Sequence, residues 1–405
     1  MQENKHISTG LAIAACALSL AVHAADNDWQ VSSGEGASTE WSNPANWSLS
    51  LDDTSNGLRF REGSGVLDRD VTVTFADAYE YPNYLKFENI STLDGSGLVT
   101  FRGNTDESGL SITSGNNILV GWYGSGGYRG NVEFAKGSYS MDNALLVQHG
   151  CATISGASLY CGGNLHLGYG DAAETTLNIF GGSVSCNGFY IGDKSGNKAT
   201  CVMTNGTLTS RATGDSAAFI GQNGQGEFFF YGGKADFNGQ FQIGRYNGSS
   251  GLFVITNGEF SVASYTCIGY NSGSGKFIMD GGTFTDRGGV FIVGQGSNAS
   301  ATGECIVSNG VLNVQSMYIS ENNTCGTLTV EGGEVNVNGT VLLIRNDKSQ
   351  VATVNLNGGV LSTERFDLGG GGQSGNSAVI NFNCGTLKAS GRLVTHLYPT
   401  SDASP

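Results

Sequence analysis

The chain has 405 residues, with 64 glycines and only 4 prolines, a balance that excludes both collagen and proline-rich disorder. Charged residues make up 14% and hydrophobic ones 39%, too apolar and too weakly charged for a chain disordered throughout. Lys+Arg of 20 against Asp+Glu of 35 leaves −15, so no basic face for nucleic acid or an anionic membrane is expected.

Residues 1–24 read as a secretory signal. Residues 11–22 (LAIAACALSLAV) form an apolar run, and Val22-His23-Ala24 sets small residues at both cleavage-specifying positions, so cleavage is expected after Ala24. The run is too short to span a bilayer. Ile13-Ala14-Ala15-Cys16 also fits a lipidation site, but only five apolar residues precede Cys16 and the run continues past it. No later stretch reaches the roughly 18 apolar residues of a membrane helix. The chain is therefore expected to be exported, to the cell surface, the medium or the periplasm, without membrane insertion.

Residues 25–110 read as a β-rich N-terminal cap that runs into the first irregular rungs. They hold WSNPANWS (Trp41 to Ser48) and strand-like runs at Val71 to Phe75, Tyr84 to Phe87, Leu98 to Phe101 and Leu110 to Ile112. A cap is needed because a stack of strands has raw ends with unpaired edges.

Residues 111–391 carry one pattern eleven times. It reads apolar-x-apolar-x-(Gly/Asn)-Gly-x-apolar, then apolar-x-(Ile/Val/Leu)-Gly, then a polar loop. The second glycine falls at Gly137, Gly156, Gly182, Gly206, Gly233, Gly258, Gly282, Gly310, Gly333, Gly359 and Gly385, in steps of 19 to 28 residues. Five residues earlier stand, among others, Cys201, Phe228, Phe253, Phe277, Cys305, Leu328, Val354 and Ile380. Spacing of two within each segment predicts strands with one buried face, and the glycine pairs predict corners. Three short strands and three corners per repeat of about 25 residues predict an all-β fold: a parallel, right-handed β-helix, or β-solenoid, of about eleven rungs. At about 4.8 Å per rung the rod is roughly 50 Å long. Residues 392–405 (RLVTHLYPTSDASP) read as an irregular tail, short for a cap. Two outcomes stay open: end-to-end self-association through the exposed last rung, or a fragment of a larger passenger.

Eight cysteines follow the signal segment, and export permits disulfides. Cys151, Cys201 and Cys305 fill the slot that other rungs give to Leu, Phe, Val or Ile, so they read as core residues. If Leu159 aligns with Val184, Cys161 and Cys186 share one slot on adjacent rungs, near enough for a candidate disulfide.

No catalytic, metal or cofactor set emerges. Gly370-x-Gly372-x-x-Gly375 matches a dinucleotide fingerprint, but the strand-like Ala378-Val379-Ile380 follows where a helix is required. His149 and His166 read as surface residues near equivalent positions, with no carboxylate pair in register beside them; Asp171 and Glu174 lie in a loop. One weak ladder does appear. Just past the Ile/Leu/Val-Gly element come Trp122, Tyr169, Tyr246 (one residue later) and Tyr270, interrupted at Asp193, Gln222 and Gln295. Aromatics at one corner of several rungs suit sugar rings, so glycan contact is expected there.

Trp29, Trp41-Ser42-Asn43-Pro44-Ala45-Asn46-Trp47 and the GG/NG corners resemble the bacterial autotransporter-associated β-strand repeat proteins. Leu356-Asn357-Gly358-Gly359-Val360-Leu361 and Asn381-Phe382-Asn383-Cys384-Gly385-Thr386-Leu387 are most similar to that family's repeat. The likeness spans roughly residues 26–391. It implies a secreted or surface-displayed β-helix and says little about activity. The chain departs from autotransporters in having no C-terminal set of long alternating strands for an outer-membrane barrel, which leaves its anchoring open. The expected function is a structural or adhesin-like surface protein making weak multivalent contacts. A carbohydrate-active lyase or hydrolase on the same fold is the alternative.

Overall fold

The structure is a computed structural model that describes residues 26–29, 40–48, 51–52, 54–61, 70–88, 97–121, 128–170, 174–214, 218–296, 301–322, 324–345, 351–369 and 376–396. The expected signal segment 1–24, Trp122 and the glycine-rich residues 370–375 lie outside them.

Strands of two-residue periodicity wrap into a parallel β-solenoid of about eleven turns, as the repeat predicts. The described residues contain no α-helix; a 3-10 turn spans Pro44–Asn46. Each turn contributes one strand to each of three sheets. The first sheet runs from Val71–Phe75 through Val99–Gly103 and Gly130–Lys136 to Ser377–Phe382. The second begins at Ala78–Tyr81 and the third at Leu58–Arg61. The irregular rungs expected before residue 110 thus join the same ladders: Val71 pairs with Val99, and Val99 with Val132.

Alternation fixes what each strand buries. Phe228, Phe253, Phe277, Cys305, Leu328, Val354 and Ile380 stand in successive register in one inward column. Ring centroids along it are 5.3 Å apart for Phe228–Phe253 and 5.4 Å for Phe253–Phe277. The inward residues form one continuous apolar cluster. Burial of each such side chain is worth roughly 1.5–3 kcal/mol, which no single coil gains alone. The corner glycines are required by close approach. Gly244 has φ +69°, and a Cβ there would lie 1.9 Å from the Ser274 carbonyl oxygen of the next coil.

One coil departs from the expected register. Ser158 pairs with Ser138 and Ser183, so Ala157, not Gly156, turns that corner. On the preceding strand Ala152 pairs with Val132 and fills the inward slot, while Cys151 pairs with Asn131 and faces out, half-buried. The expectation of a core Cys151 is therefore corrected, whereas Cys201 and Cys305 are fully buried. The cause is the shortest step in the repeat, which aligned by its glycines displaces the strand by one residue and exchanges its faces.

The two ends differ. At the N-terminal end Trp29, Trp41 and Trp47 pack into a plug, with Trp41 stacked on Phe75 at 5.1 Å and Trp29 on Phe60 at 5.4 Å. Asn43 caps the Pro44 turn by accepting from the Ala45 amide at 3.1 Å, and Trp47 Nε1 donates to the Trp41 carbonyl at 3.0 Å. Glu40 bridges to Thr74 and accepts from the Ala76 amide at 3.1 Å, which ties the plug to the first coil. At the other end Ile380 and Phe382 occupy columns that are core elsewhere, yet are 38% and 55% exposed.

Candidate functional site

On the third sheet, inward residues such as Leu167, Ile191, Ile220 and Ile243 enter the core. The residue before each faces out. In consecutive coils these are His166, Tyr190, Phe219, Gln242, Cys267 and Ile292. An outward row would ordinarily meet water. Here Phe219 is 1% and Cys267 0% exposed, and over Phe219 the cover is the Arg245 side chain from the loop that follows the next strand of this sheet. The result is a part-desolvated ledge running along the rod.

Its first part is built around His166. Nδ1 of His166 lies 2.6 Å from Oδ2 of Asp193, which belongs to the next coil, 27 residues on. Tyr169 and Tyr190 stand edge-on to the imidazole at 5.1 and 4.8 Å. Tyr190 in turn stacks on Phe219 at 5.1 Å and 17°. Burial, and then the neighbouring Asp193 carboxylate, hold the Tyr190 phenol above its ordinary range. Farther along, the Arg245 guanidinium lies 3.9 Å over the Phe219 ring and 4.7 Å over that of Tyr246.

Beyond Arg245 the ledge is amide- and acid-lined. Gln242 Nε2 donates to Gln240 at 2.7 Å and to the Tyr265 hydroxyl at 3.1 Å. Gln295 Nε2 donates to Glu321 Oε2 at 3.1 Å, and Arg345 pairs with Glu321 Oε1 at 3.2 Å. Burial raises the Glu321 carboxyl, and Arg345 only partly offsets it. The Oε1 atoms of Gln222, Gln242 and Gln295, with Nε of Arg245, are buried and have no hydrogen-bond partner among the described residues. Four desolvated polar atoms in one strip are costly to leave unmet, at about 1–3 kcal/mol each.

The expected aromatics fall on this ledge but do not form one column. Tyr169 is 44% exposed at its N-terminal part. Tyr270 pairs with Gln295, and its amide donates to Gly244, which places Arg245 rather than Tyr246 beside it in the column. Tyr246 stands one position off, against Arg245. Asp193 and Gln222 separate Tyr169 from Tyr246 by three coils, roughly 14 Å, whereas Tyr246 and Tyr270 stand on adjacent coils. The His166–Asp193 pair was missed by the sequence reading. It becomes visible only once His166 is aligned with Tyr190, because Asp193 then stands three residues past its partner.

Another open concavity and the cysteines offer no second site. An open depression of about 420 Å³ on the first sheet includes Ser250, Lys276, Thr302 and Glu304, but Lys276 and Glu304 neutralise each other at 2.8 Å. Among the described residues no three His, Cys, Asp or Glu side chains converge on a metal position. Leu159 does pair with Val184, which puts Cys161 and Cys186 in one buried slot on adjacent coils, with both thiols free. Burial pushes the Cys161 thiol up to about 12 and raises that of Cys186 as well. In the native chain a thiol reagent at pH 8 should therefore label the exposed Cys325 and Cys384 rapidly and leave these two unlabelled. Mass spectrometry showing Cys161 or Cys186 modified as fast as Cys325 would contradict that burial.

Comparison with protein-family models, with curated proteins and with solved structures yields no match to this chain.

Proposed function

We propose that the chain is an exported, adhesin-like rod of the autotransporter-associated β-strand repeat kind, and that it binds glycans along the third-sheet ledge. The observation that carries this is the row of tyrosines on the ledge, Tyr169 exposed and Tyr246 and Tyr270 half-buried, beside the half-buried amides of Gln222 and Gln295. Sugars complement such a strip, with C–H faces for aromatic rings and hydroxyls for amides. The ledge repeats similar chemistry every few coils on a stiff core, so weak contacts add along a polymer through effective concentration. The WSNPANW plug and the GG/NG corners support the family reading.

Immobilised polysaccharides should retain the purified chain, and Tyr169→Ala with Tyr246→Ala should weaken retention about threefold to tenfold per ring. Unchanged retention by the double variant would remove the ledge from the reading. The His166–Asp193 pair favours a second reading, polymer cleavage with His166 moving a proton. New reducing ends released by the wild-type chain, and abolished by His166→Ala, would select it over passive binding.

A further inference from the structure

Resting on the glycan reading of the ledge, the structure assigns Arg245 as the receptor for a carboxylate, so that the ligand is a uronic-acid-bearing glycan rather than a neutral one. Among the described residues four other arginines of the rod carry ion pairs, whereas Arg211 donates to the Tyr160 hydroxyl and the Cys161 carbonyl, and Arg129 Nε, like Arg245 Nε, is buried without a partner. Arg59 meets Asp26 and Asp28, Arg287 meets Asp236, Arg345 meets Glu321, and Arg365 meets Asp367. Arg245 has no ion pair and no side-chain hydrogen bond among the described residues, although the chain carries 35 acidic side chains to 20 basic. The acid nearest along the ledge, Asp193, is committed to His166 at 2.6 Å. The Arg245 charge is thus left without a counter-charge of its own.

The guanidinium is also held in place. Contact with the Phe219 and Tyr246 rings restrains the plane, and burial of Nε keeps water from that donor. A restrained planar fork is suited to a bidentate carboxylate, which a lysine ammonium would not match. Gln222 stands in the column between Asp193 and Arg245, and its Oε1 needs a donor. A turn of the half-buried Gln222 amide would bring that oxygen to a ring hydroxyl of a sugar whose carboxylate meets Arg245. Tyr190 and Asp193 lie one coil farther, within reach of the next residue of a chain laid along the rod. This combination of cation, acceptor and aromatic face is the recognition set for an acidic sugar, and neutral sugars would leave the cation unmet.

Polygalacturonate and its fully methyl-esterified form share one backbone and differ at the carboxyl group, ionised in the first and capped as a neutral methyl ester in the second, and so test the assignment directly. Binding of both to the full chain is to be measured by calorimetry at low and at physiological salt, for wild type, Arg245→Gln and Arg245→Lys. The expected result is tighter binding of the acid than of the ester. Arg245→Gln should lose about tenfold to a hundredfold on the acid and nothing on the ester. Arg245→Lys keeps the charge and the apolar stem, and should fall between, with circular dichroism confirming that both variants are folded. Wild type binding acid and ester equally, with neither variant changing that, overturns the carboxylate assignment and leaves the glycan reading standing. Wild type binding neither polymer, nor a neutral dextran, overturns both.

Discussion

Replacing Phe253 by alanine is expected to destabilise the rod by about 3–5 kcal/mol, the range for deleting a fully buried phenylalanine. Phe253 is 0% exposed and its ring meets Phe241 at 5.1 Å, Phe260 at 4.9 Å, Phe228 at 5.3 Å and Phe277 at 5.4 Å. These partners come from three consecutive coils and all three sheets, so the hole opens where the coils are stapled together. The surrounding rings are each held by further rings and cannot collapse into it cheaply. Because coils exchange contacts mainly with their neighbours, the loss should be local at first. Amides of 225–230, 250–255 and 274–279 should lose hydrogen-exchange protection before those near the tryptophan plug. Phe180→Ala is the matched control: Phe180 follows an inward residue, is 46% exposed, and should change stability by less than about 0.5 kcal/mol. Equal shifts in urea midpoint for the two variants would contradict the stacked core.

The contrast between Phe253 and Phe180 also marks how far the amino-acid pattern alone reaches. Phe253, Phe277, Cys305 and Leu328 fall in one column as the spacing of two and the period near 25 predict. Within a strand, periodicity reports a face, and a face is most of what a solenoid needs. It fails where the period itself is irregular: at Gly156 the spacing shortens, Ala157 takes the corner, and Cys151 turns outward. It fails again on the ledge, for a different reason. Alternation marks His166, Tyr190 and Phe219 as outward, which they are, but only loop side chains from other coils decide whether outward means wet. Arg245 reaching over Phe219, or Asp193 reaching His166 across a coil, depends on loop conformations that no repeat encodes. The fold is written in the shared residues of the repeat; the candidate site is written in the ones that differ between coils.

Asp286 is such a difference, and its replacement should stabilise the chain. It occupies the inward slot that Val262 fills one coil before and Val314 one coil after, and it is 1% exposed. Oδ1 accepts a long bond from the Gly288 amide at 3.4 Å, Oδ2 has no partner at hydrogen-bond geometry, and Thr266 and the Gly289 amide lie near the carboxylate. Burial pushes this carboxyl from the ordinary 3.8 up to about 6, while Thr266 and the Gly288 and Gly289 amides pull it down by less. With the folded value above the unfolded one, the folded chain holds the proton more tightly between about pH 4 and pH 6. The protonated side chain is accommodated below that window. As pH rises through it, stability falls, and above about pH 6 the chain carries the full cost of a buried charge, about 3 kcal/mol. Asp286→Asn keeps the shape and an acceptor for Gly288 without the charge. Its urea midpoint should exceed wild type at pH 7.5 by an amount worth up to about 3 kcal/mol, and the advantage should shrink towards nothing by pH 4. Asp286→Val restores the apolar column but strands the Gly288 amide, so its gain at pH 7.5 should be smaller by about 1 kcal/mol. Taking variant minus wild type at each pH cancels the other carboxylates, which titrate alike in both. An asparagine variant less stable than wild type at pH 7.5, or a difference flat from pH 4 to 7.5, would mean that the carboxylate is met by a partner and is not a buried charge in an apolar slot.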